Sequence, residues 1–317
     1  MEKMKIDELK KNTADWIKTH PTHTKVILVA VLVVLFCIIF VSCKNKNAQK
    51  KPPKPPVQKK VVAPKKEKET PPPPPQPAPE DEEPVSMTNF DLGDGVELTL
   101  VPVSKGSFNY GSPRSEKGRK NQENQTRITI SEDFYIGTYE VTQAQYEAVT
   151  GQNPSKFKGD SLPVENVTVN NAVMFCEKLN AGGIAPAGWK FALPTSEQWE
   201  YACRAGTTTP FSFGSALNGD KANCYGSAPY GTNKKGRYVK KTQPVGSYSA
   251  NKWGIYDMHG NVWEFCRKTV KGKVTYEIRG GSWASHAKDC RSASRFVWSP
   301  SKADQRGGFR VVLVRAD

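Results

Sequence analysis

Two carboxylates, Asp257 and Glu264, bracket Gly260 in the stretch GIYDMHGNVWEFC at Gly254–Cys266. A glycine turn there frees backbone carbonyls. Side-chain and main-chain oxygens could then converge as a hard cation such as calcium requires. The same spacing equally suits a plain turn whose carboxylates cap backbone N–H groups. Trp263, with Val262 and Phe265 beside it, reads as a core residue.

Other site chemistries find little support. Four histidines occur, His20, His23, His259 and His286, with no HExxH and no His/Cys pair at zinc spacing. Gly280-Gly281-Ser282-Trp283 is not the G-x-S-x-G elbow of a serine hydrolase. Phe213-Gly214-Ser215 lacks the further glycines of a dinucleotide loop. Seven cysteines are more informative: Cys37 and Cys43 lie in or beside an apolar run, and Cys176, Cys203, Cys224, Cys266 and Cys290 lie beyond it. In an oxidising compartment at least one disulfide is expected, and the odd count leaves a thiol over. Each of the five taken singly also reads as a buried, inert thiol.

The elements that must position these residues are short. Thr142-Gln143-Ala144-Gln145 and Thr195-Ser196-Glu197-Gln198 both match the capping box, and Gly151 and Gly206 then stop the two helices. Asn170 or Asn171 is expected to cap a third helix, running through Ala172, Phe175 and Leu179 to Gly182. Imperfect strands at Val96–Val101, Phe134–Tyr139 and Phe309–Val314 complete an α+β domain, low in regular secondary structure.

This domain occupies 87–317, and the chain before it differs physically. Residues 1–25 form a polar tail, expected to be cytoplasmic. Residues 26–43, mostly Val, Ile, Leu, Phe and Ala, have a length near the lower bound for crossing a bilayer as a helix, the only conformation that suits them there. Residues 44–86 hold more than half of the prolines and no glycine, a composition that cannot bury a core and serves as an extended linker. Lysines flank the apolar run on both sides, so charge alone leaves its orientation open. Phe40-Val41-Ser42-Cys43 is similar to a lipoprotein processing site, yet Phe40 and the long leading tail favour an uncleaved signal anchor. Both readings put the domain on the periplasmic or extracellular side, with a bacterial envelope as the expected setting. The net charge is +15, but many of the lysines sit in the linker and the other basic residues are scattered. No basic face with interleaved aromatics accompanies it, which argues against a nucleic-acid partner.

Taken together, LTLVPVSKGSFNYGSP at Leu98–Pro113, FYIGTYEVTQAQYEAV at Phe134–Val149, NPSKFKGDSLPVENVT at Asn153–Thr168, LPTSEQWEYACRAGT at Leu193–Thr207, GIYDMHGNVWEF, RGGSW at Arg279–Trp283, CRSASR at Cys290–Arg295 and GGFRVV at Gly307–Val312 carry a resemblance. The chain resembles the formylglycine-generating enzyme, or sulfatase-modifying factor, family. That resemblance implies a variant of the C-type-lectin-like fold, often bound to calcium. Asp257, Glu264 and the carbonyls of Gly260 and Val262 match the family's second calcium site. Asn223 matches one ligand of the first, although Lys234–Lys241 offers only basic residues where an aspartate is expected. Trp263 and Ser282 match residues lining the substrate groove.

Active members use copper held by two cysteines, with oxygen, to convert a sulfatase cysteine to formylglycine. The first of those positions falls on Ser285, whose hydroxyl cannot replace a thiolate for soft Cu(I), and the second falls on Cys290 only with a gap. The resemblance also implies a Cys203–Cys290 disulfide, which would remove the last candidate copper ligand. The expected function is therefore a membrane-anchored, non-oxidising scaffold for a protein or glycan partner. The alternative is a copper-dependent formylglycine-generating oxidase.

Overall fold

Residues 88–316 are described in the computed structural model. The tail at 1–25, the apolar run at 26–43 with Cys43, and the linker at 44–86 lie outside them. Among the described residues no helix is long and apolar enough to cross a membrane.

The fold is α+β. A five-stranded antiparallel sheet is ordered β1-β2-β5-β11-β6, from β1 (Thr88–Asp91), β2 (Glu97–Val103), β5 (Phe134–Gly137), β6 (Trp189–Ala192) and β11 (Val312–Arg315). Alternation along β2 explains why both faces are covered. Leu98 and Leu100 join one core cluster with Tyr146, Phe175 and Leu179, whereas Val101 and Val103 join another with Trp199 and Ala202. Helices α1 (Gln143–Thr150) and α2 (Val169–Ala181) supply the first face, and α3 (Ser196–Arg204) the second. A hairpin of β3 (Gly106–Tyr110) and β4 (Thr126–Ile130) lies outside this sheet.

The second large sheet is ordered β10-β7-β8-β9, from β7 (Trp263–Val270), β8 (Lys273–Arg279), β9 (Arg295–Val297) and the short β10 (Gly307–Gly308). Strand β7 starts directly after the Gly260 turn, so the sheet fixes the end of the candidate stretch. Between α3 and β7 the chain is irregular, joined by isolated bridges such as Tyr225 with His286.

Two helix starts behave as the sequence requires: Thr142 and Thr195 each close a capping box with Gln145 and Gln198. The third differs. Its N-cap is Thr168, and Asn171 is the third helical residue, whose side chain reaches back to the Thr168 amide at 3.0 Å. Asn171 thus plays the glutamine's part in the box rather than the cap itself. Helix α3 also ends one residue early, on Ala205 in a left-handed conformation. Thr168→Ala should cost about 1 kcal/mol, read as a lower denaturant midpoint at unchanged slope.

Candidate functional site

The Gly254–Cys266 stretch turns sharply, with positive φ at Asp257 (57°), Gly260 (98°) and Asn261 (59°). Gly260 donates its amide to Gly280 O at 2.8 Å, and Asn261 donates to Asn223 O at 2.8 Å. A Cβ on Gly260 would stand 2.3 Å from the Asn223 carbonyl oxygen, so glycine is required by close backbone approach.

Three buried carboxylates meet around this turn. Glu264 accepts from Arg310 Nε (2.6 Å) and Nη2 (2.8 Å) and from the Trp199 indole N–H (2.7 Å), so both its oxygens are engaged. Glu140, brought in just beyond β5, accepts from the Val262 amide at 3.0 Å and from Asn261 Nδ2 at 2.6 Å. Asp257 accepts from the Gly246 amide at 2.6 Å. Burial, reinforced by Asp257 and Glu264, pushes the Glu140 carboxyl well above the usual carboxylate range. Burial likewise lifts Asp257 to about 6. The guanidinium of Arg310 is ion-paired to Glu264, while among the described residues Glu140 and Asp257 have no ion-pair partner and are held towards their neutral forms.

Asn223 closes the knot by donating to Lys241 O (2.9 Å) and Asn261 Oδ1 (3.0 Å). Its own Oδ1 and the nearby Thr242 Oγ1 are buried without a hydrogen-bond partner. Orphaned buried oxygens are what a hard cation satisfies. Among the described residues no three His, Cys, Asp or Glu side chains converge closely enough to hold a metal on their own. Amide and main-chain oxygens would therefore have to complete any shell, and Asn223 Oδ1 is one such oxygen left without a partner. Asp257 and His259 also line a shallow depression with Phe213, Lys221 and Tyr248.

His259 is buried beside this turn and must be neutral with its proton on Nδ1. Nδ1 faces Cys290 O at 2.8 Å, an acceptor, while Nε2 accepts from the Ser212 amide at 3.0 Å. Burial lowers its pKa from 6.5 to about 4. The unfolded chain therefore binds a proton that the folded chain refuses. This contribution, about 3 kcal/mol by linkage, is complete above pH 6.5 and lost as pH falls towards 4. Urea midpoints should drop between pH 7 and pH 4.5, and the drop should shrink in His259→Gln.

The candidate copper positions do not assemble a two-thiolate site. The Ser285 hydroxyl accepts from the Ser282 amide and lies 3.0 Å from Ser282 Oγ. Cys290 is fully buried under Gly281, where an added Cβ would come 2.4 Å from its sulfur. The expected Cys203–Cys290 disulfide is not formed, and all five domain cysteines are free. The physical reason lies in their surroundings: the Cys203 sulfur sits among Met258 O (3.8 Å), His259 Nε2 (3.7 Å) and Ser292 Oγ (3.5 Å). Cys290 belongs to a different core cluster, with Cys224.

Trp263 and Ser282, expected in a groove, are 8% and 0% exposed. Trp263 packs edge-on against Phe296, and Val262 is buried in the same turn. Trp283 is held by Phe157 and by a hydrogen bond to Gln305 O at 3.3 Å. Reading the sequence missed Glu140, Arg310 and Trp199 as partners of the turn. Each stood inside a quoted block, but spacing gives no sign that distant blocks share a charge pair.

The sulfatase-modifying factor enzyme 1-like domain matches residues 95–315. The chain is 32% identical over 265 residues to the chaperone protein LppX of Paenibacillus barcinonensis, covering 68% of this chain and 90% of that protein. It is 29% identical over 160 residues to the inactive C-alpha-formylglycine-generating enzyme 2 of Mus musculus, covering 47% of this chain and 48% of that protein. Among solved structures, PvdO from Pseudomonas aeruginosa superposes with a TM-score of 0.59 at 26% identity, over 74% of this chain and 99% of that one.

Proposed function

Since the chain belongs to the sulfatase-modifying factor enzyme 1-like domain family, we propose that it is a non-oxidising member acting as a binding scaffold for a protein or glycan partner. The observation carrying this reading is the pair of copper positions: Ser285 offers a hydroxyl tied to Ser282, and Cys290 a thiol sealed beneath Gly281. Cu(I) needs soft thiolate donors, so these residues do not fit it. A family relative named as inactive, and another named as a chaperone, fit a role outside catalysis. Family membership by itself fixes neither role.

In this reading the domain is a C-type-lectin-like variant, held at the periplasmic or extracellular side by an uncleaved anchor at 26–43 and spaced from it by the linker at 44–86. Its partner is not a nucleic acid. Calcium is the cofactor it would take, through Asp257, the carbonyls of Gly260 and Val262, and Glu264, with Asn223 at an adjoining position. Arg310 and Trp199 already engage both oxygens of Glu264, so a cation bound there would share those oxygens with them. A chelator should lower the melting temperature by about 5 °C, and Asp257→Asn should abolish that difference. An unchanged wild-type melt would count against calcium.

The copper half is tested by competition for Cu(I) against bicinchoninate. The wild-type chain should leave the metal with the chelator. Uptake of one equivalent, lost in Cys290→Ser, would overturn the reading in favour of a copper-dependent oxidase built on Cys290 and its neighbour Cys224.

A further inference from the structure

Cys224 and Cys290 come from two segments that the backbone ties side by side. The Tyr225 amide donates to Ser285 O at 2.8 Å, Tyr225 bridges His286 in parallel, and the Ala287 amide donates to Ala228 O at 3.3 Å. A single 3-10 turn at Ala287–Asp289 then brings the chain back, closed by Cys290 N to Ala287 O at 3.1 Å. Both cysteines end in one small cluster with Phe211, Leu217, Tyr230 and Ala287, at 1% and 0% exposure. A Cβ added at Gly281 would stand 2.4 Å from the Cys290 sulfur, which also lies 3.7 Å from His286 O.

The hydrogen bond from Cys224, followed by burial, pushes the Cys290 thiol well above the ordinary thiol range. Cys224 and Cys290 thus share one buried cluster, whereas Cys203 stands in the separate cluster around Met258.

The geometry points to Cys224 and Cys290 as a disulfide-forming pair, closed during folding in an oxidising medium, in place of the Cys203–Cys290 bond. Formation belongs to folding because the folded pair is sealed from solvent, whereas exchange needs an accessible thiolate as the attacking species. With a glutathione-type disulfide as oxidant, one protein thiolate attacks it, forming a mixed disulfide and releasing one glutathione. The second protein thiolate then displaces the other glutathione. One S–S bond breaks and one forms, the two electrons pass to the glutathione sulfurs, and the two protons shed by the protein thiols end on them. The bond closes a loop from 224 to 290, which includes the irregular chain before β7 and the Gly260 turn.

The full-length chain, kept in mild detergent because of its apolar run, would be refolded with oxidised and reduced glutathione. Remaining thiols would then be alkylated without reduction and mapped by mass spectrometry. The expected result is a linked Cys224–Cys290 peptide and a melting temperature about 10 °C above the fully reduced protein, as a loop of this length implies. In Cys224→Ser that difference should vanish and Cys290 should be alkylated. Complete alkylation of both cysteines in the wild type, or a Cys203–Cys290 peptide, would overturn the assignment. So would a melting difference that persists in Cys224→Ser.

Discussion

Arg310→Met should be the most damaging single change in the domain, lowering its stability by about 3–5 kcal/mol. Arg310 is fully buried, forks onto both oxygens of Glu264, and donates to Gly137 O (2.9 Å) and Tyr256 O (2.9 Å). It joins the five-stranded sheet to the Gly260 turn in one side chain. Removing one partner of a buried ion pair costs about 3–5 kcal/mol, because the other charge stays desolvated and alone. Here the abandoned charge has Glu140 and Asp257 for company, both of which are already held above the usual carboxylate range. Total domain stability is only about 5–15 kcal/mol, so this single loss removes a large fraction of it. Urea denaturation followed by tryptophan fluorescence checks it. Adding Glu264→Gln to Arg310→Met should recover part of the loss, since the orphaned charge disappears with it. No recovery would mean that the backbone contacts of Arg310, rather than the pair, carry the cost.

Gly260→Ala should be the second most damaging change, at about 2–5 kcal/mol. Two effects add there. The residue holds φ at 98°, which costs a non-glycine residue about 1–2 kcal/mol. The new methyl would also stand 2.3 Å from the Asn223 carbonyl oxygen, a backbone atom that cannot rotate away. Overpacking of this kind costs about 1–3 kcal/mol. Asn223 is itself pinned by Lys241 and Asn261, so the strain spreads through the knot. The same substitution at Gly151, also at positive φ but with nothing near its Cβ, supplies the comparison, and its smaller cost should reflect backbone conformation alone. Equal midpoints for the two variants would remove close approach as the cause.

How far the sequence spoke depends on the range of each interaction. Thr142 and Thr195 declared their helices because a capping box is complete within four residues. Thr168 was hidden by two asparagines, each a good cap in its own right, and only the register of α2 separates cap from third residue. Gly260 was visible as a turn, but its reason, the Asn223 backbone, arrives from far up the chain. The buried carboxylate contacts are less legible still: Glu264 pairs with Arg310 across 46 residues, and Glu140 accepts from the Val262 amide across 122. Periodicity and spacing carry no information about such partners. The resemblance paired Cys203 with Cys290, and packing put them in different clusters, which left Cys224 as the neighbour that no motif had named.

The measurement that tests the non-oxidising reading most directly supplies the full-length chain with Cu(I) and a Cys-x-Pro-x-Arg peptide in aerated buffer, and follows the peptide cysteine by mass spectrometry. The account predicts that the cysteine persists unchanged while an active family enzyme converts it in the same buffer. Conversion to the aldehyde by this chain, abolished in Cys290→Ser, would contradict the account and establish an oxidase.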